Sequence, residues 1–315
     1  MTATQERPAP FRPWAPPARS GPAAGRAGAY ATAAEAVRRH DENFPVAFLL
    51  LPRSIRADMH AVYAFCRETD DLGDEGDPER RTARLEEWAE DLERAFGGLP
   101  RDPRLRALAA TIARHDLPAD PFRRLVEANR MDQRHDRWPT YADLLHYCEH
   151  SATPVGQMVL GVLGYRDDWR VRMSDATCIG LQLANFWQDV RRDLVDRRRV
   201  YLPLEDMARF QVPEDHLRRP RATPALRELM AFEVGRAREW LLQGAPLAYV
   251  VPRRVGLDLR MFTAGGLAIC NAIARQGYDT LVRRPAPGKL GRAEIAAAVL
   301  WRMARRRPEG GRAPA

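Results

Sequence analysis

From about residue 34 onward, apolar positions recur every three or four residues, which is the period of amphipathic helices. In "SIRADMHAVYAFCRETDD" the series Ile55, Met59, Val62 and Cys66 marks one buried face. "DPERRTARLEEWAEDLERAF" opens with an Asp cap before a Pro and stops ahead of Gly97-Gly98, predicting a helix over 78–96. Similar periodicity runs through "PRLRALAATIARH", "PADPFRRLVEANRMDQR", "TYADLLHYCEHSATPVGQMVLGVLG" and "MSDATCIGLQLANFWQDVRRDL". It continues through "PALRELMAFEVGRAREWLLQGAPLAYV" and "RVGLDLRMFTAGGLAICNAIARQGYDTL". No segment alternates with period two between hairpin turns, so the chain reads as a single all-α domain.

The polar positions are less ordinary. "RETDDLGDEGD", residues 67–77, carries six carboxylates directly after a core-like stretch. Tyr63, Arg67, Asp70 and Asp74 are spaced 4, 3 and 4, so they share a face that borders the apolar one. A second stripe, Gln182, Asn185, Asp189 and Asp193, borders the apolar series Ile179, Leu183, Phe186 and Val190. Carboxylates beside a core face are costly unless neutralised. Mg²⁺ suits them, because it is held by one or two carboxylates together with substrate phosphate oxygens. Arg67 and the run Arg191, Arg192, Arg197, Arg198 and Arg199 offer positive charge to the phosphate itself. An EF-hand loop is excluded, because Leu72 and Glu75 occupy the third and sixth positions. Within the first cluster, Asp71 and Glu75 are secondary, while Glu68 and Asp77 are expected to face water.

Composition adds limits rather than a function. The 315 residues carry a formal net charge of +8, and Lys289 is the single lysine. Such a charge suits nucleic acid, an anionic membrane surface or a phosphorylated substrate, but no nucleic-acid recognition module is present. Arg-for-Lys preference also follows from base composition alone. Cys66, Cys148, Cys178 and Cys270 form no CxxC pair, which argues against a zinc ribbon or disulfide scaffold and fits a reducing cytosol. Residues 1–33, rich in Pro, Ala, Gly and Arg, read as a disordered tail, and 301–315 as a basic flexible tail. No signal peptide and no run of 18–20 apolar residues is found. The absence of a GxGxxG fingerprint predicts no nicotinamide cofactor.

"HDENFPVAFLLLP", "AVYAFCRETDDLGDE", "YCEHSATPVG", "LQLANFWQDVRRD" and "RRVYLPLEDM" together resemble the squalene/phytoene synthase family over about residues 36–290. The resemblance implies an isoprenoid synthase helical fold with a central cavity, spanning 34–300. It implies Mg²⁺ binding by Asp70, Asp74, Asp189 and Asp193 with Asn185, and Asp71 as a neighbour. Arg67, Gln182, Arg199 and Tyr201 resemble diphosphate-side and pocket-closing groups, and His40 and Asn43 match positions near the substrate phosphate. Tyr63 and Tyr147 are expected to face the reaction cavity. Phe48, Ala152, Val155 and Gly156 are expected to line a prenyl tunnel.

Departures from the commoner family pattern narrow the reading. They are "NFPVA", "SATPVG" with Ser151 and Pro154, "FWQDVRRD", and Gly266 where many relatives carry a cavity tyrosine. These features resemble the hydroxysqualene synthase branch of hopanoid biosynthesis, which ionises presqualene diphosphate and captures the cation with water. Phe65, Tyr147, Phe186 and Trp187 are candidate cation-stabilising faces, although most aromatics at helical spacing are core. Ser151 or Gln157 are candidates for positioning the water, against the alternative that a helical Ser bonds its own backbone. The resemblance further implies functional coupling to a presqualene diphosphate synthase and a hydroxysqualene reductase. The expected location is cytoplasmic, with peripheral contact at the inner face of the membrane. Three alternatives stand beside this reading: head-to-head condensation of two prenyl diphosphates to presqualene diphosphate or phytoene, a non-catalytic assembly factor, and nucleic-acid binding.

Overall fold

In a computed structural model, the structure describes residues 53–286 and residue 288. The two tails, and His40, Asn43 and Phe48, lie outside the described residues. Among the described residues ten α-helices follow in order: α1 Arg53–Asp74, α2 Pro78–Phe96, α3 Pro103–His115, α4 Asp120–Arg134, α5 Tyr141–Ser151 and α6 Thr153–Val162. After these come α7 Asp168–Asp196, α8 Leu204–Arg209, α9 Pro224–Gly244 and α10 Arg253–Arg275, with 3-10 turns at Glu214–Arg218 and Ala245–Tyr249. The one β feature among the described residues is an isolated bridge between Arg137 and Val200.

Local chemistry sets the helix ends. Asp77, Asp102, Asp167 and Thr223 each accept a bond from a backbone N–H of the helix they cap. Thr140 and Asp143 form a reciprocal capping box at α5. Gly98, at φ +77, follows the end of α2 as its left-handed turn residue. The stretch from Tyr141 to Val162, expected as one helix, is two. Pro154 brings no N–H to bond His150 O and its ring crowds that carbonyl, so the continuous helix breaks at Ala152, φ −117. Conversely, α7 begins five residues earlier than its apolar pattern suggested, at Asp168 behind the Asp167 cap.

Two apolar clusters hold the helices together. The first joins α1 through α4 with the ends of α6 and α10, around Met59, Phe65, Leu85, Leu108 and Phe122. The second joins α5, α7, α9 and α10 around Leu144, Leu183, Trp187, Leu229 and Ile273. Each fully buried side chain of this size contributes roughly 1.5–3 kcal/mol. The apolar series 55, 59, 62, 66 belongs to the first cluster, and 179, 183, 186, 190 to the second. The two acidic stripes therefore stand at the border between the clusters. Helix α10 is long and apolar enough to cross a membrane by length and composition, but it carries Asp258 and Arg260 and packs against α7 and α9.

Candidate active site

Both expected stripes exist, each on one helix. Tyr63, Arg67, Asp70 and Asp74 climb α1, and Gln182, Asn185, Asp189 and Asp193 climb α7. What joins them is the chain just after α7. Arg197 places Nη2 3.3 Å from Asp74 Oδ2 and Nη1 3.2 Å from Asp193 Oδ1, bridging the two stripes. Arg199 Nη1 lies 3.0 Å from Asp74 Oδ1. Both guanidiniums reach the same place because Arg198 takes a left-handed φ of +58, turning the chain back so that Arg199 N–H bonds Asp193 O. The other arginines of the run are engaged elsewhere: Arg191 donates to Leu281 O and Arg192 lies 3.7 Å from Asp196.

Helix α4 supplies a third wall that periodicity did not single out. Asn129 donates to Asp70 Oδ1 at 3.4 Å and to Leu125 O at 3.2 Å, and Gln133 donates to Gly73 O at 2.8 Å. Gly73 makes this approach possible, because a Cβ there would fall 2.0 Å from Asn129 Oδ1. One turn on, Asp132 accepts from Tyr147 Oη at 2.8 Å and more distantly from Tyr201 Oη at 3.5 Å, and lies 3.3 Å from Arg199 Nη1. The available sequence signal was Asp132 and Gln133 three and four residues after Asn129, beside the buried Leu125, Ala128 and Met131. Arg284 is the other residue missed. It grips Asp189 with two bonds, Nε to Oδ1 at 2.5 Å and Nη2 to Oδ2 at 2.8 Å.

The electrostatics follow from this crowding. Asp70 keeps an exposed surface, yet the protein packed around it pushes its carboxyl up to about 7. Desolvation is the main cause; Asp74 adds to it, and the Asn129 bond opposes it. Asp132 and Asp193 are each pushed up to about 6, again chiefly by desolvation, with Arg199 and Arg197 respectively opposing. Burial likewise raises the phenols of Tyr147 and Tyr201, which stay protonated donors. Asp74, Asp132, Asp189 and Asp193 are thus met by Arg197, Arg199 and Arg284, while Arg67 acts on Asp70 from the same helix. Among the described residues the donors are hard carboxylate and amide oxygens. Among the described residues no three acidic, His or Cys groups converge to chelate one ion. That donor set fits Mg²⁺, which takes few protein carboxylates and completes its shell with water and phosphate.

Other expected residues sort differently. Arg67 Nε sits 3.0 Å from Asp71 Oδ1, tying the two together along α1. Tyr63 and Gln182 are half-buried on their stripes, and Asn185 is exposed one turn before Asp189. Tyr147, Phe186 and Tyr201 form an aromatic stack, with Phe186 and Tyr201 3.8 Å apart and Tyr147 5.8 Å from Tyr201. Phe65 does not join it, whereas Trp187 meets the Phe186 ring edge-on at 6.4 Å. Phe65 packs between Trp88 and Phe122 in the first cluster, and Trp187 is fully buried in the second, because each lies on its helix's core face. Gln157 is spent on Arg124 and Asp175, so it is not free to hold a water. Ser151 differs: its Oγ is buried and bonds nothing, whereas Thr69, Thr111, Thr153, Thr177 and Thr263 all bond back to a carbonyl four residues earlier.

Gly156 does not open room for a hydrocarbon; a Cβ there would meet Ser174 Oγ at 2.4 Å, so its smallness serves the contact of α6 with α7. Ala152 is buried at the helix break, and Val155 packs against the first cluster. Gly266 likewise seats Leu241 and Leu181. Glu68, expected in water, pairs with Arg104 of α3, and Asp77 caps α2.

A sequence model of the Squalene/phytoene synthase family matches residues 37–292. The 15-cis-phytoene synthase of Synechococcus elongatus is 35% identical over 229 residues, 68% of this chain and 74% of the relative. The phytoene synthase of Thermus thermophilus is 35% identical over 253 residues, 79% of this chain and 84% of the relative. Among solved structures, squalene synthase HpnC from Alicyclobacillus acidocaldarius superposes with a TM-score of 0.76 at 46% identity, covering 80% of this chain and 95% of that one. A dehydrosqualene synthase in complex with ligand gives a TM-score of 0.80 at 25% identity, covering 89% and 98%. With most of its length matched and its two acidic helices meeting across one polar seam, the chain belongs to the squalene/phytoene synthase family of prenyltransferase-type enzymes.

Proposed function

We propose that the chain is a Mg²⁺-dependent isoprenoid synthase that converts presqualene diphosphate and water into hydroxysqualene and diphosphate. The observation that carries the reading is the meeting of the two stripes at Arg197, which places Asp74 and Asp193 on either side of one cation. Asp70 and Asp74 on one wall, and Asn185, Asp189 and Asp193 on the other, are the groups that would hold Mg²⁺. Bound there, the metal would supply Lewis-acid stabilisation of the departing diphosphate.

The chain's own residues account for the remaining work. Arg197, Arg199 and Arg284 stand at the carboxylates and present fixed N–H donors toward an incoming diphosphate. The substrate C–O bond breaks with its electron pair on the diphosphate. The resulting cyclopropylcarbinyl cation rearranges before capture. The stacked faces of Tyr147, Phe186 and Tyr201 are suited to a passing cation. The uncommitted Ser151 hydroxyl, one turn beyond Tyr147, is suited to orient the water. The water oxygen then donates a pair to the cation, and its proton passes to the released diphosphate.

The 46% identity to the HpnC squalene synthase, beside 35% to the phytoene synthases, favours this reaction over condensation of two prenyl diphosphates. The very apolar substrate and product are the reason to propose contact with the cytoplasmic face of a membrane. The test is to offer purified protein with Mg²⁺ presqualene diphosphate, farnesyl diphosphate or geranylgeranyl diphosphate, with and without NADPH. Hydroxysqualene from presqualene diphosphate, independent of NADPH, is expected. Consumption of farnesyl or geranylgeranyl diphosphate with presqualene diphosphate untouched would sink the reading.

A further inference from the structure

Asp132 has no role in holding metal or diphosphate in the reading above, yet it is the most connected carboxylate of the seam. Its side chain is 10% exposed. It accepts the phenolic proton of Tyr147 at 2.8 Å and lies 3.3 Å from Arg199 Nη1, whose other carboxylate is Asp74 at 3.0 Å. Its own backbone carbonyl accepts from Arg199 Nη2 at 3.3 Å. Asp74, Arg199, Asp132 and Tyr147 therefore form one chain of charge-assisted contacts from the first acidic stripe to the aromatic stack.

The contacts constrain Tyr147 in two ways. A phenol has a single proton, and donating it to Asp132 fixes the O–H direction. The ring is held in place as well, with Trp138 4.6 Å away on one side and Tyr201 5.8 Å away. Anything that draws Arg199 or Asp74 toward a diphosphate acts on the same carboxylate that orients the phenol.

We propose that Asp132 is a positioning residue. It ties Tyr147 to the diphosphate-side groups through Arg199, so that loading the acidic seam and placing the phenol beside the reacting carbons are one coupled event. The simpler alternative is that Asp132 only balances the buried charge of Arg199. The two ideas differ in what Asp132 does once the phenol is gone.

The coupling rests on the functional reading above for placing the diphosphate at Asp74 and Arg199, not for which prenyl diphosphate it is, and its test runs on whichever prenyl diphosphate the protein turns over. Failure of the substrate assignment and failure of the coupling are therefore separable. The experiment is a double-mutant cycle of Asp132→Asn and Tyr147→Phe, read as kcat and KM on the full chain with Mg²⁺. Each single change should lower kcat about 10- to 100-fold, the range expected of one charge-assisted hydrogen bond, with KM little altered. The double variant should be no slower than the slower single. Multiplying effects, or an Asp132→Asn variant with wild-type kcat, would overturn the proposal. If Asp132→Asn loses its fold by circular dichroism, Asp132→Glu decides, because it keeps the charge near Arg199 but displaces the acceptor. A slow Asp132→Glu enzyme of unchanged melting temperature is expected, and wild-type turnover would overturn the idea.

Discussion

Replacing Gly73 by Ala tests the packing that holds the first acidic stripe. Inside a helix, Ala is ordinarily favoured over Gly by about 1 kcal/mol. Here the new Cβ would meet Asn129 Oδ1 at 2.0 Å and Cγ at 2.9 Å. Asn129 is not free to swing away without losing its bonds to Asp70 Oδ1 and Leu125 O. Leaving that buried amide unpaired costs about 1–3 kcal/mol, and shifting α4 against α1 costs about as much again. Set against the helix gain, Gly73→Ala should destabilise the fold by about 1–5 kcal/mol and reduce turnover through misplacement of Asp70. Urea unfolding and kcat measure the two effects. The decisive control is the same substitution in an Asn129→Ala background, where the two closest atoms are gone and only the residue-129 Cβ remains, at 3.2 Å. There Gly73→Ala should be neutral or stabilising by up to about 1 kcal/mol. An equal cost in both backgrounds, or stabilisation in the wild type, would refute the reasoning.

Two further outcomes follow from groups beyond the acidic seam. Burial alone raises the Asp258 carboxyl from 3.8 to about 7, so folding is favoured fully below the lower value and loses stability as pH rises through the higher one. Asp258→Asn should therefore gain on the wild type as pH rises from 5 to 8, by about 3 kcal/mol at most; a constant difference in urea unfolding across that range would contradict this. Ser151→Ala should keep substrate consumption but lower the share of alcohol product, with Ser151→Thr closer to wild type, as read by gas chromatography and mass spectrometry. An unchanged product ratio in Ser151→Ala would remove the hydroxyl from the capture step.

Much of the site was legible because it is periodic. Asp70 and Asp74, and Asp189 and Asp193, repeat with their helices, and each row runs beside an apolar row that tertiary packing buried as expected. The third wall was not legible for a physical reason. Asn129, Asp132 and Gln133 sit among Glu127, Arg130 and Arg134, whose ion pairs with one another and with Glu86 lie toward the surface, so the polar face of α4 reads as solvated. Arg284 meets Asp189 across 95 residues, a distance over which spacing carries no information. The choice of Arg197 and Arg199 from a run of five depends on the left-handed turn at Arg198, which follows from no local glycine or asparagine signal. Helix phase does not divide the aromatic candidates: Phe65 and Phe186 are both buried, and Phe186, on the apolar row of α7, also meets Tyr201 at the seam.

The central claim is that α1 and α7 form one diphosphate site together. Isothermal titration of diphosphate into the protein at saturating Mg²⁺ tests it most directly, comparing wild type with Asp70→Ala and Asp189→Ala variants of unchanged helicity. One site should be seen in the wild type, lost or weakened at least about tenfold by either substitution and dependent on Mg²⁺, which corresponds to about 1.4 kcal/mol or more from each wall. Unchanged affinity in either variant, or binding indifferent to Mg²⁺, would contradict it.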